Sequence, residues 1–196
     1  MFVLKLSFLL TGLALSVYAQ VQPSTYAQVQ PSTISKETQF AQLEALLSKI
    51  TPPFRGSVLP HVALAAFDAK AFDKAASYAQ ETLSYASASS SDQGSQEYYG
   101  NEVMGLLALQ KGDIATAKYY LLKSGASVGS KTIAQFGPNM SLAAGVLAKG
   151  ETATFLKFLD LCKKLWPTGD LTIRKWQALA QANLTPDFDR YLLVQP

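Results

Sequence analysis

One pattern constrains this chain more than any other in its 196 residues: small side chains set at fixed distances around a turn, three times over. The clearest copy runs Gly105, Ala108, Gly112-Asp113 and Ala117, followed by Tyr120 and Leu121. In two helices folded back on each other, small side chains at Gly105 and Ala117 let the backbones approach closely, and Gly112 supplies the tight turn. Ala63, Ala66, Lys70 at the turn, Phe72, Ala75 and Tyr78 fit the same frame. A third copy keeps Ala143 and a turn at Gly150, with Phe155 where a small residue is expected. Each such hairpin leaves an apolar face bare until a neighbour covers it, so three hairpins and a further helix are about the minimum for a stable stack.

Periodicity extends this reading to the rest of the chain. From Ser35 onward apolar residues recur at helical spacing, with no sustained alternation of the strand kind. Phe40, Leu43, Leu46, Leu47 and Ile50 form one stripe, and Pro52-Pro53 is expected to end that helix. The hairpins are then expected at 58–70 with 72–86, 96–111 with 114–123, and 138–149 with 152–166. A Ser-rich loop over 87–95 and an irregular connector over 125–137 join them, and Asp170 is expected to cap a last helix at 171–182. The fold class is all-α: stacked antiparallel helix hairpins with an N-terminal helix and a C-terminal capping helix.

With these residues in view, the segment 58–166 resembles a tetratricopeptide repeat, whose signature places Gly or Ala, a turn Gly and another Ala at these intervals. Ala75 and Ala117 stand 42 residues apart, against a standard period of about 34, and the extra residues fall in the Ser-rich loop. The resemblance implies a right-handed solenoid in which the first helix of each pair lines a concave groove. It places Leu64, Phe67 and Asp68 in that groove from the first pair, Tyr99, Glu102, Leu106 and Leu109 from the second, and Met140 and Leu147 from the third. Asn101 and Asn139 fall at equivalent positions, where their amides would ladder along one edge. The carboxylate clamp of co-chaperone repeats also needs lysines on the first of these helices, and those are missing here. The stretches Tyr98-Tyr99-Gly100-Asn101 and Phe136-Gly137-Pro138-Asn139-Met140-Ser141 resemble exported bacterial helical-repeat proteins of uncharacterised role, which implies no activity.

The first 19 residues read as an export signal. Lys5 is their one charge, Leu6 to Val17 is an apolar run of 12 residues, and Val17-Tyr18-Ala19 suits a signal peptidase. The run falls short of the roughly 20 residues that span a bilayer, so no stable membrane insertion is expected after cleavage. The octapeptide of residues 18–25 is repeated without change at 26–33, and its Gln, Pro, Ser and Thr content makes 20–35 a disordered tether. Residues 36–196 are expected to form a single helical-repeat domain, exported to the periplasm or secreted. In an oxidising compartment the single Cys162 is read as a packed core thiol, since Phe155, Phe158, Leu159, Cys162 and Trp166 share one helical face.

Catalytic signatures are missing where they would have to appear. A nucleophile triad needs His61, the only imidazole, which follows Pro60 with no G-x-S-x-G motif nearby and reads as a capping or half-buried residue. Asp68 and Asp73 flank a turn, while Asp113, Glu151 and Asp170 stand at helix starts, where the dipole favours them. One histidine and one cysteine exclude the usual structural zinc site, and no cofactor is implied. A net charge of +3, evenly spread, gives no basis for nucleic-acid binding. Asn139-Met140-Ser141 and Asn183-Leu184-Thr185 match the glycosylation acceptor pattern, which matters only in a eukaryotic host.

The sequence thus leads to an exported interaction module that binds a protein or peptide partner through Leu64, Phe67, Asp68, Tyr99, Asn101, Glu102, Leu106, Asn139 and Met140. Two occupants of that groove stay open. One is the chain itself, through the helix 40–50 or the tail 186–196 with Phe188, Tyr191, Leu192 and Leu193. The other is an amphipathic helix or extended peptide from a partner. A different class is a small-molecule or glycan binder using Tyr98, Tyr99, Phe136 and Trp176, and an enzyme of unrecognised type is the least expected.

Overall fold

Ser35 accepts a hydrogen bond from the Thr38 backbone N–H at 3.2 Å and so caps the first helix, α1 (Lys36–Leu47). The computed structural model describes residues 34–88 and 92–193; the expected export signal and the duplicated octapeptide lie outside the described residues. Pro52 and Pro53 follow α1, but they also open α2 (Pro52–Asp68), because a proline in the first turn lacks only an N–H that would have no helical partner. The second helix therefore begins six residues before the expected Val58. Pro60 and His61 lie in its middle rather than in its first turn. In the α1 stripe Phe40 and Leu47 are buried, while Leu46 is about half exposed.

The remaining helices are α3 (Phe72–Ser87), α4 (Gln93–Gln110), α5 (Ile114–Gly125), α6 (Lys131–Phe136), α7 (Ser141–Ala148), α8 (Thr152–Leu165) and α9 (Asp170–Gln181). Short 3₁₀ turns occupy Pro167–Gly169 and Asp189–Tyr191, and no strand occurs among the described residues. Three expectations need correction. The connector over 125–137 holds a helix, α6, capped by Ser130 Oγ on the Ile133 N–H at 3.2 Å. The third hairpin opens at Ser141, not Pro138, so its first helix is only eight residues long. Asp170 does not cap α9; it is the first residue of that helix and pairs with Arg174 one turn on.

The hairpin turns are built alike. Lys70, Gly112 and Gly150 have φ of 59°, 77° and 81°, the left-handed conformation that ends a helix. The N–H of each next residue reaches back to the carbonyl of Ala66, Ala108 or Val146, at 2.8, 2.9 and 3.4 Å. The same turn occurs a fourth time after α9. Asn183 has φ 58°, and the Leu184 N–H meets the Leu179 carbonyl at 2.9 Å. Five residues beyond each turn lie Ala75, Ala117, Phe155 and Phe188, all buried. After the fourth turn no second helix forms. The chain instead returns as a tail in which Phe188 packs on Phe155 and Trp176, with ring centroids 5.8 and 5.3 Å away.

Packing follows one scheme. The first helix of each later hairpin contacts its own partner helix and both helices of the hairpin before: α4 meets α5, α2 and α3, and α7 meets α8, α4 and α5. Gly105 serves both of its neighbours, since a Cβ there would lie 2.3 Å from Leu142 Cδ2 on α7 and 3.2 Å from Tyr120 Cβ on α5. At the other end, α1 is fastened by polar contacts. Arg55 donates to Glu81 at 2.6 and 3.1 Å and to the Leu47 carbonyl at 3.2 Å. Glu44 accepts from Lys74 and from the Tyr78 hydroxyl, both at 2.7 Å. Burial and the Glu44 carboxylate push the Tyr78 phenol up to about 12.

Candidate functional site

The nine groove residues come from neighbouring elements: Leu64, Phe67 and Asp68 from α2, Tyr99, Asn101, Glu102 and Leu106 from α4, and Asn139 and Met140 from the approach to α7, with α2 packed on α4 and α4 on α7. Most of them are closed off. Leu64, Phe67, Tyr99, Asn101, Glu102, Leu106, Asn139 and Met140 are buried, and Asp68 alone of the nine is half-buried. The face has three parts: a buried polar centre, a stretch met by the tail, and an open end beside the turns.

Glu102 forms the centre. Its side chain is buried to 1% exposure and neither carboxyl oxygen has a hydrogen-bond partner. Burial holds its carboxyl well above the usual carboxylate range. The Leu142 backbone N–H and the Asn139 amide lie close enough to oppose that shift, without making hydrogen bonds of normal geometry to it. A neutral acid is the form that survives such surroundings. Burial, and secondarily Glu102, also raises the Tyr98 hydroxyl and the Cys162 thiol. Burial thus disfavours the charged form of each of these groups.

Asn139 ties the centre to the tail. Its Oδ1 accepts from the Ser141 backbone N–H at 3.1 Å, the Ser141 hydroxyl at 2.8 Å and the Leu193 N–H at 3.2 Å. Its neighbour Met140 donates its N–H to the Tyr191 carbonyl at 2.8 Å. Tyr98 donates its hydroxyl to the Asn139 carbonyl at 2.6 Å. The expected ladder of amides is absent: Asn101 donates to the Glu97 carbonyl at 2.6 Å instead, because it is set within α4 and faces its own preceding turn. The tail ends, among the described residues, at Leu193. That side chain helps line a small cavity of about 170 Å³ with Gln39, His61, Leu64 and Asp68.

Beyond Asp68 the face opens into a cleft of about 510 Å³. Its floor is Phe67, Phe72, Leu106 and Leu109, and Gly145 and Ala148 of α7 form one wall. Lys36, Lys70, Lys149 and Gln110 stand around it with Asp68. Lys36 pairs with Asp68 at 2.7 Å, whereas Lys70 and Lys149 form no salt bridge among the described residues. Sequence reasoning placed Phe67, Asp68, Leu106 and Leu109 here and missed the lysines. A signal for them existed: Lys70, Lys111 and Lys149 recur at or just before the three hairpin turns.

The other candidates scatter. Tyr98, Tyr99 and Trp176 are buried and only Phe136 is exposed, so the four do not make one aromatic platform. His61 is exposed in the middle of α2, 6.5 Å from the Tyr99 ring, and is not a helix cap. Asp113 caps α5 through the Thr116 N–H at 3.0 Å, while Glu151 pairs with Lys118. Asn139 is buried and cannot serve as a glycan acceptor in the folded chain. Among the described residues no group of three His, Cys, Asp or Glu side chains is placed to hold a metal ion, and no helix is long and apolar enough to cross a membrane. No family model, curated protein or solved structure matches the chain.

Proposed function

We propose that this chain is an exported protein, periplasmic or secreted, whose hairpins form a tetratricopeptide-like right-handed stack, and that it works by binding another protein rather than by catalysis. The partner contributes an extended, aromatic-bearing peptide segment to the face of α2, α4 and α7. One observation supports this reading above others: the tail, its aromatic rings set on Phe155, Trp166 and Trp176, runs in extended form to the edge of that face at Asn139 and Met140. The tail is held through its own backbone, by the Tyr191 carbonyl on the Met140 N–H and the Leu193 N–H on Asn139 Oδ1. Main-chain bonding of this kind suits any extended peptide, and pockets for its side chains add selectivity. Beyond Tyr191 the Leu193 side chain is 56% exposed, although its N–H is held by Asn139.

In-cell crosslinking from a photoreactive residue at His61, beside the cavity that Leu193 borders, tests this. One recurrent protein adduct that becomes stronger when residues 192–196 are removed is the expected result. Adducts confined to the chain's own tail, with none gained on truncation, would mean that the face is filled permanently from within. A small-molecule reading is favoured by one observation, the 510 Å³ cleft, whose size falls among small-ligand sites of about 300–1,000 Å³.

A further inference from the structure

The cleft beside the hairpin turns has an amphiphilic lining that the partner reading leaves unused. It is a separate part of the face from the stretch under the tail, so the inference below stands whether or not the partner reading does. Phe67, Phe72, Leu106 and Leu109 supply an apolar floor, contributed by three helices and kept open by the small residues Gly145 and Ala148. Two cations, Lys70 and Lys149, stand exposed at its rim without a salt bridge, and the Lys36–Asp68 pair closes one side. Lys70 acts only at a distance on Glu37, an exposed carboxylate on the first turn of α1.

The placement also limits what the lysines can hold. The cleft sits where α2, α4 and α7 end, at Asp68, Gln110 and Ala148. These three C-termini and Asp68 place negative charge beside the cleft, while α1 and α3 begin there at Lys36 and Phe72, so a multiply charged head is disfavoured more than a singly charged one. No arginine lines the cleft to form a planar fork. What remains is a pair of flexible point charges above a greasy floor. We propose that this cleft binds a single-chain amphiphile with a monoanionic head, a free long-chain carboxylate, its chain on Phe67, Phe72, Leu106 and Leu109 and its carboxylate between Lys70 and Lys149.

The test uses residues 20–196 and a fluorescent probe, dansyl-undecanoate, with hexadecanoate and hexadecanol as competitors. Saturable binding, displaced at least tenfold better by hexadecanoate than by hexadecanol, is expected. The pair Lys70→Gly and Lys149→Gln should weaken hexadecanoate about tenfold or more, a loss of about 1.4 kcal/mol or more, while leaving hexadecanol unchanged. Both positions are exposed, and glycine suits the backbone at residue 70, so the double variant is expected to fold. Ala148→Trp, which fills the cleft from an exposed position, should abolish binding of both competitors; circular dichroism reports its folding. No saturable binding by the wild-type chain would overturn the proposal. So would equal affinity for acid and alcohol, or binding only to anionic lipid vesicles or to an acidic peptide.

Discussion

Glu102 is buried with no hydrogen-bond partner for either carboxyl oxygen. The unfolded chain gives up the carboxyl proton near 4.5, and the folded chain keeps it to much higher pH because burial opposes the charge. The folded state then holds more protons than the unfolded one, so its stability falls as pH rises above about 4.5, by about 1.4 kcal/mol per pH unit until the folded group itself ionises. Below about 4.5 the contribution is fully present. Replacing the acid with Glu102→Gln removes this slope, so denaturant titrations at a series of pH values should show the variant gaining on the wild type from about pH 5 upward. An unchanged slope would mean that the carboxyl is not held neutral. Sequence reasoning made Glu102 a groove acid, and the structure buries it. Its burial depends on α7 and Asn139, some 37 residues away in the chain, which no local pattern announces.

At the scale of elements, the turns carry the clearest predictions. Lys70 and Asn183 occupy the left-handed conformation that Gly112 and Gly150 fill at the equivalent points. A Cβ is unfavourable there, so Lys70→Gly should stabilise the chain by about 0.5–1 kcal/mol, and Gly112→Ala should destabilise it by about 1 kcal/mol or more. Thermal melts of the two variants give opposite shifts if the turns are as described. Close approach distinguishes two further glycines. A Cβ at Gly94, at the start of α4, would fall on the Gly129 backbone carbonyl, while one at Gly105 would meet mainly the end of the Leu142 side chain. Backbone cannot yield as a leucine can, so Gly94→Ala should cost about 2–3 kcal/mol. Gly105→Ala should cost less than about 1, its strain offset by helix propensity. Denaturation midpoints rank the pair. Sequence picked out Gly105 and Gly112 because their pattern repeats; Gly94 sits in the Ser-rich loop region, where composition alone explains a glycine.

Across the whole molecule, the tail takes the place of a fourth second helix. Phe188 stands five residues after the fourth turn, as Phe155 does after the third, and the two rings meet beside Trp176 and Trp166. Truncating that contact with Phe188→Ala should cost about 3–5 kcal/mol, read by urea unfolding through the two tryptophans of the cluster. A loss below 1 kcal/mol would show that the tail rests on the stack without sealing it. Phe155 also becomes intelligible at this scale: where the other hairpins need alanine, this one faces the aromatic side chains of the returning tail.

The sequence by itself determined the helical class, the three hairpins and their turns, and the apolar face that hides Cys162. All of these depend on residues a few positions apart, and helical spacing and backbone conformation are local matters. Only the tertiary structure decided which of the expected groove residues remain open. Leu64, Glu102, Asn139 and Met140 are all buried, and elements distant in sequence decide it: the start of α7 at Glu102, and the tail at Asn139 and Met140. It likewise decided that Lys70 and Lys149, 79 residues apart, share one cleft with Phe67 and Leu106, since that depends on how far three hairpins have stacked.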